Sequence, residues 1–244
     1  MKAATKANIE IAGAWCAVVY IVLLMAIWGG IGGYLPPHSP SMPVADVARF
    51  YREHTQSIRL GNLGVMFAAL ALIPFASAVS NSIRRIEGET GTLTIISIFG
   101  GVGTMVLTFY PGAWWLTAAY RPERDATVIQ LLSDAAWLQF IGGVSMYLAL
   151  PGAFGIAILC DDREKPAHPR WVGYASLWLM VLVIPDQLLF FFHDGPFAWN
   201  GLFGFWLPLV GLAGWFLLSA YFLRREALAR QHVPAKSGPV PLPE

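Results

Sequence analysis

Six apolar runs of about 20 residues or more divide the chain, and they restrict its fold more than any other feature. Their approximate bounds are 11–34, 60–80, 93–115, 135–159, 171–192 and 202–222. A helix of about 20 residues is about 30 Å long, which is the thickness of the hydrocarbon core of a bilayer. Inside lipid, only helices and closed barrels satisfy all their backbone hydrogen bonds. We therefore predict an all-α, polytopic membrane protein built as a bundle of six transmembrane helices.

The overall composition agrees with a membrane protein. Of the 244 residues, 56% are hydrophobic and only 13% are charged, whereas soluble domains average about 25% charged residues. The formal net charge is +1, and no block of basic residues occurs. Because nucleic-acid-binding proteins carry a strongly basic surface, we expect no nucleic-acid partner.

Residues 1–230 are predicted to form a single transmembrane domain. The first apolar run is longer than the core of a signal peptide, which has roughly 7–15 residues, so we interpret it as a membrane span. Residues 231–244 read QHVPAKSGPVPLPE and are rich in proline but poor in large apolar side chains. This composition predicts a disordered tail.

The distribution of lysine and arginine predicts the orientation. Eleven of these residues fall in the segments that share a side with the two termini, and five fall on the other side. Positive charge is enriched in cytoplasmic segments. We therefore expect both termini in the cytoplasm, the tail included, and a multi-pass protein in a bacterial-type inner (plasma) membrane.

Two short amphipathic helices are predicted on the outer face. Residues 44–54 (VADVARFYREH) place Val47, Phe50, Tyr51 and His54 on one side of a helix and charged residues on the other. Residues 127–132 form the second stretch, with Asp125 as its candidate cap. Such helices serve as anchors in the membrane interface, and together they could also form a lid over the bundle.

Asp186 is the only Asp, Glu, Lys, Arg or His within the six runs as delimited above. A carboxylate at membrane depth costs roughly 2.5–3.5 kcal/mol on insertion scales, so it normally faces a partner or a wet cavity. The preceding Pro185 lacks a backbone N–H and is expected to kink the helix. We predict that Asp186 marks the functional site, in the outer half of the bundle.

The candidate site is built around Asp186 from residues at a similar depth. On an α-helix, Asp186, Phe190 and His193 share one face because their spacing is i, i+4, i+7. Arg59 is the predicted ion-pair partner of Asp186, because its long side chain can reach inward from the start of the second run. The other predicted ligand-binding residues are Asn62, Tyr110, Trp114, Trp115, Trp137, Gln139, Gln187 and Trp199.

Three functions fit this pattern. The first is a carrier, sensor or accessory subunit that binds a hydrophobic or lipid-like small molecule in an outer-leaflet pocket. Membrane lipid and this small molecule are then its expected partners. The second is a membrane-embedded enzyme for an apolar substrate, with Asp186 as general acid and His193 as proton route. The third is a proton-coupled transporter, which is less well supported because the inner halves of the runs contain no acid.

We expect no cofactor and no metal, because no H-x-x-x-H, C-x-x-C-H or H-E-x-x-H pattern occurs. A haem or metal held by His54 and His193 remains the alternative.

Small residues recur at helical spacing, as in Ser97 with Gly101 and Gly211 with Gly214. They predict close helix packing, within the chain or against partner membrane subunits.

Overall fold

The computed structural model describes residues 3–231, and within this range every regular element is a helix. The α-helices are α1 (Ala3–Leu23), α2 (Val44–Glu53), α3 (Thr55–Glu87), α4 (Thr92–Tyr120), α5 (Ala126–Gly142), α6 (Ala149–Leu159), α7 (Arg170–Leu182) and α8 (Leu207–Gln231). The all-α prediction is confirmed for this part of the chain. Apart from Gln231, the predicted disordered tail lies outside the described residues.

Six helical segments are long and apolar enough to cross a membrane, which confirms the prediction of a multi-pass membrane protein. In chain order, spans one to six are Ala4–Ile31, Thr55–Glu87, Thr92–Tyr120, Ala126–Leu159, Arg170–Phe190 and Gly195–Gln231. Most are longer than the predicted runs, because polar residues continue the helices beyond the apolar stretches. Span two, for example, ends only at Gly88, whose positive φ of 82° suits glycine and whose N–H donates to Arg84 O at 3.0 Å.

The two described chain ends lie together, at what we call the termini end of the bundle. There, Gln231 Nε2 donates to Asn8 Oδ1 at 2.6 Å. Helix α2 follows span one and so lies at the opposite end, which we call the α2 end. It buries Ala48 and Tyr51 and packs against α3, α4 and α5. The helix predicted at 44–54 is thus confirmed as a helix.

The second predicted amphipathic helix is not a separate element. Residues 127–132 form the first turns of α5, which runs without a break into span four. Asp125 caps this helix as expected, because its Oδ1 accepts a hydrogen bond from Thr127 N at 2.9 Å. The stretch thus leads into span four, as the sequence predicts, and the α-helix continues unbroken to Gly142.

Four of the six spans lose regular α-geometry, towards the α2 end in spans one, five and six and near the middle in span four. Span one continues from α1 as a π-helix over Leu24–Ile31, and span six has a 3₁₀ turn over Gly195–Phe197 followed by a π-helix over Leu202–Trp206. Span four contains a 3₁₀ turn over Gly143–Met146, and span five ends in a 3₁₀ helix over Ile184–Phe190. Irregular backbone at membrane depth is tolerated where it is buried in protein or lines a cavity.

The small residues pack the spans closely within this chain. A Cβ on Gly101 would lie 2.4 Å from Ala76 Cβ of α3. A Cβ on Gly211 would lie 3.0 Å from the side chains of both Leu179 and Leu182 of α7. Gly214, by contrast, has no neighbouring atom within 4 Å of such a Cβ. Gly101 and Gly211 therefore serve internal packing, and Gly214 faces outward.

Candidate functional site

Asp186 lies on the buried face of the 3₁₀ helix that ends span five. Val183, Asp186 and Leu189 are buried, at a spacing of three residues, and Asp186 is only 1% exposed. A 3₁₀ helix has 3.0 residues per turn, so positions i and i+3 share a face. The predicted shared face of Asp186, Phe190 and His193 was wrong because it assumed the α-helical repeat of 3.6 residues.

The Asp186 side chain faces a cavity of about 70 Å³ within the bundle. The wall is formed by residues of spans one, three, four, five and six. They are Tyr20, Ile21, Leu24, Thr104, Leu107, Thr108, Phe140, Ile141, Val144, Tyr147, Asp186, Gly204, Phe205, Pro208, Leu209, Leu212, Ala213 and Phe216. The cavity is thus mostly apolar, and Asp186 is its one ionisable acid apart from the weakly acidic tyrosines.

In each of these four spans, one irregular stretch reaches the cavity. The two π-helices contribute Leu24 and the pair Gly204 and Phe205, and the two 3₁₀ stretches contribute Val144 and Asp186. Both π-helical stretches and helix breaks within membranes are frequent at binding sites. The departures from α-geometry are therefore gathered around one space.

Two polar groups at the cavity have no hydrogen-bond partner within residues 3–231. They are Asp186 Oδ1 and the hydroxyl of Tyr147, both buried. Tyr20 OH, in contrast, lies 3.2 Å from Thr108 Oγ1 and is paired. A buried polar group without a partner costs roughly 1–3 kcal/mol, so the cavity presents unsatisfied hydrogen-bonding capacity to whatever fills it.

The predicted ion pair between Arg59 and Asp186 does not form. Arg59 donates through Nε and Nη2 to Ala119 O, at 3.3 and 3.0 Å, and through Nη2 to Tyr120 O at 3.1 Å. These carbonyls belong to the last turn of α4, where a cation interacts favourably with the helix dipole. Arg59 therefore stabilises a helix end and leaves the cavity without a cationic side chain.

Three predicted site residues lie in a packed aromatic cluster instead of the cavity. Trp115 and Trp137 join Trp28 and Tyr34 in this cluster, with ring centroids 4.6–5.9 Å apart. Asn62 lies beneath it, and its Nδ2 donates to Tyr34 OH at 3.1 Å. The cluster is solid packing at the α2 end, so these three side chains do not line the cavity.

Of the remaining predicted residues, Tyr110, Trp114 and Gln139 lie on the surface of the spans. Tyr110 and Trp114 are exposed, and Trp114 Nε1 donates to Gln139 Oε1 at 2.8 Å. Gln187 has a buried Nε2 without a partner within the described range, but it does not line the cavity. Among the predicted residues, only Asp186 itself is on the cavity wall.

Phe190, His193 and Trp199 meet at a second space, a crevice at the α2 end, which also contains Gln130 and Asp134. Its volume is about 320 Å³. Hydrogen bonds join the chain segments that border the crevice. Ser41 Oγ donates to His193 O, and Trp199 Nε1 donates to His38 O, each at 2.8 Å. The predicted outer residues therefore come together, but not around Asp186.

His54 makes local contacts only. Its ring stacks on Phe50 at a centroid distance of 5.0 Å, and its Nδ1 lies 3.1 Å from Phe50 O. Nowhere in residues 3–231 do three or more histidine, cysteine, aspartate or glutamate side chains form a group that could hold a metal ion.

Burial raises the pKa of the nearby Tyr51 phenol to about 12, so this hydroxyl remains neutral.

A buried ionic cluster at the termini end was not predicted. Glu226 of α8 accepts hydrogen bonds from Arg85 Nε and Ser82 Oγ, each at 2.7 Å, and lies 3.3 Å from His168 Nε2. Arg85 also pairs with Glu10 at 3.1 Å. Glu10 and Glu226 lie just outside the predicted apolar runs, and the helices α1 and α8 bring them into the bundle because both extend beyond those runs.

The sequence contained a signal for some of these residues. Thr104 and Thr108 are hydroxyl residues at i, i+4 inside an apolar run, so both project from one helix face. Glu226 lies seven residues after the buried Ser219, again on one face. Nothing local marks Tyr20, Tyr147 or Phe216, which look like ordinary aromatic residues of a membrane span.

No model of a known protein family matches this chain, and comparison with curated proteins and with solved structures gives no significant match.

Proposed function

We propose that this membrane protein binds a hydrophobic or lipid-like small molecule in the cavity beside Asp186, as a carrier, a sensor or an accessory subunit. The observation that carries the proposal is the coincidence of three features. One cavity is lined by irregular stretches of four spans, by Asp186 of span five and by Tyr147, whose hydroxyl has no partner among the described residues. Small-molecule sites are typically apolar spaces with few polar groups that fix orientation.

The energetic cost of this arrangement supports a functional role. Packing alone favours regular helices and an apolar residue at position 186, because unsatisfied backbone or carboxyl groups are costly at membrane depth. Buried ionisable residues in membrane spans commonly belong to substrate or ion pathways. A ligand that donates a hydrogen bond to Asp186 would offset this cost.

We further propose that both termini are cytoplasmic and that the membrane is a bacterial-type inner (plasma) membrane. The excess of lysine and arginine at the termini end supports this orientation. Asp186 then belongs to the outer half of the bundle, and α2 lies over the outer surface. The amphipathic sequence of α2 suits an interfacial position.

A proton-coupled transporter is the second candidate, and Glu226 is the observation that favours it. Buried Asp186 and buried Glu226 lie towards opposite ends of one bundle, as a pathway with two proton-binding groups requires. In that case, Asp186→Asn abolishes the pH dependence of transport. Transport that keeps its pH dependence in this variant would remove the candidate.

Two neighbouring residues of α8 give a matched test of binding. Ala213 lines the cavity, whereas Gly214 points into open space. Ala213→Leu fills the cavity, and Gly214→Leu adds bulk on the outer face of the same helix turn. Native mass spectrometry of protein released from membranes should detect a bound molecule in wild type and in Gly214→Leu, but not in Ala213→Leu.

Equal occupancy in the two variants would contradict the proposed site. A protein without any bound molecule, in wild type as well, would contradict the proposed function when added lipid extracts also fail to supply one.

A further inference from the structure

We infer the chemical class of the ligand: a single-chain amphipath whose polar end donates hydrogen bonds and carries no negative charge, as in a long-chain amine or alcohol. This step rests on the proposed binding function and adds to it a choice among lipid-like molecules. It follows from the hydrogen-bonding groups, the charges and the shape of the cavity wall.

Most hydroxyl groups on the wall have already used their hydrogens. Thr104 Oγ1 donates to Gly100 O at 2.7 Å, and Thr108 Oγ1 donates to Thr104 O at 3.1 Å. Because the Thr108 hydrogen is used in this way, Tyr20 OH is the donor in its 3.2 Å contact with Thr108 Oγ1. The hydrogens of these three hydroxyl groups are thus used within the protein, in a series that links span one to span three.

The groups left for a ligand are mainly acceptors. The Asp186 carboxyl offers an unpartnered Oδ1, and the Tyr147 hydroxyl can accept as well as donate. A ligand without a hydrogen-bond donor would leave Asp186 Oδ1 without a partner, at about the same energetic cost as in the unoccupied cavity. A ligand with an N–H or O–H at its polar end satisfies it.

Within residues 3–231, the cavity wall offers no cation to an anionic ligand. The wall contains no lysine, arginine or histidine. Arg59 is held by the carbonyls of Ala119 and Tyr120, and Arg85 by the carboxylates of Glu10 and Glu226. A fatty-acid carboxylate would therefore be buried beside Asp186 without a cationic partner, which desolvation opposes.

The shape of the cavity favours one chain over a bulky ring system. A volume of about 70 Å³ has room for only a handful of water molecules. Its half-buried wall residues include Ile21 on span one and Leu209, Leu212 and Ala213 on span six. These two spans face lipid on their outer sides, so we place the apolar part of the ligand between them, where a chain can extend from the bilayer.

Three photoreactive amphipaths test this inference. Dodecylamine, dodecanol and dodecanoate, each with a diazirine in the chain, are added to the protein in phosphatidylcholine nanodiscs at a mildly alkaline pH that ionises dodecanoate. Adducts are located by peptide mass spectrometry. We expect labelling at Leu209 and Leu212 by the amine and the alcohol, about tenfold above dodecanoate, since the amine can form charge-assisted hydrogen bonds with the Asp186 carboxyl and dodecanoate would be desolvated without a cation.

Asp186→Asn isolates the role of the carboxyl. This substitution keeps an oxygen acceptor and removes the charge, so labelling by dodecylamine should fall about tenfold, to the level of dodecanol. Asp134→Asn, a half-buried aspartate of the crevice that does not line the cavity, should leave all three labels unchanged.

The outcomes separate the inference from the proposed function. Equal cavity labelling by dodecanoate, or an amine signal that is insensitive to Asp186→Asn, would overturn the ligand class and leave the binding function intact. Absence of cavity labelling by all three amphipaths would count against the inference and, together with an empty cavity by mass spectrometry, against binding itself.

Discussion

Replacing Asp186 with leucine should make the protein more stable. The carboxyl is buried, its Oδ1 has no partner within the described chain, and it borders an apolar cavity. A residue kept for ligand binding commonly reduces stability, whereas a residue kept for structure increases it. The sign of the change therefore distinguishes the two roles.

The expected magnitude is about 2 kcal/mol. Removal of an unsatisfied buried polar group returns roughly 1–3 kcal/mol. The direction agrees with insertion scales, on which leucine contributes about −0.5 kcal/mol where an aspartate costs roughly 2.5–3.5 kcal/mol. Overpacking should be small because the cavity beside position 186 can accept the extra methyl groups.

Reversible unfolding in mixed micelles of a mild detergent and dodecyl sulfate measures this change. Asp134→Leu is the control, because Asp134 is half-buried in the open crevice and its replacement should shift the free energy of unfolding by less than about 0.5 kcal/mol. A loss of about 1 kcal/mol or more in Asp186→Leu would refute the reasoning, since Asp186 would then stabilise the bundle.

Three further changes probe the rest of the structure. Glu226→Gln should destabilise the protein by about 3 kcal/mol in the same unfolding assay, because it leaves Arg85 with one carboxylate partner in a buried cluster; an unchanged stability would show that the cluster contributes nothing. Gly100→Ala should cost roughly 1–3 kcal/mol, as its Cβ would lie 2.5 Å from a backbone nitrogen of span four, and a neutral result would contradict this close approach. The Arg163 guanidinium, which donates to both Asp161 oxygens at 2.6 Å, lowers the pKa of that carboxyl below 3.8. A lowered pKa stabilises the fold above the unfolded value and the contribution is lost as pH falls below it, so thermal unfolding of Asp161→Asn should depend less on pH below about 4 than that of wild type, and parallel pH profiles would contradict the ion pair.

The membrane spans and the importance of Asp186 could be predicted because both follow from local properties. The length of an apolar run is enough to predict a span, and the amphipathic repeat of residues 44–54 is enough to predict α2. An acid inside an apolar run is noticeable without knowledge of its neighbours, since its cost depends mainly on depth.

The neighbours of Asp186 could not be predicted from the same patterns. Span five changes to a 3₁₀ helix at Ile184, with Pro185 in its first turn. The repeat therefore changes from 3.6 to 3.0 residues, and Leu189, not Phe190, shares the face of Asp186. The cavity also depends on which spans are neighbours, and no local pattern encodes this order. Arg59 was assigned to the wrong partner for a related reason, because the free carbonyls at the end of α4 compete for its guanidinium.

A high-resolution map of the protein in nanodiscs made directly from the membranes of expressing cells tests the binding site most directly, since native lipids stay with the protein. We predict elongated density for a non-protein molecule between spans one and six, with its polar end about 2.6–3.2 Å from the Asp186 carboxyl. A cavity that contains only isolated waters, or that is closed by the surrounding side chains, would contradict the account.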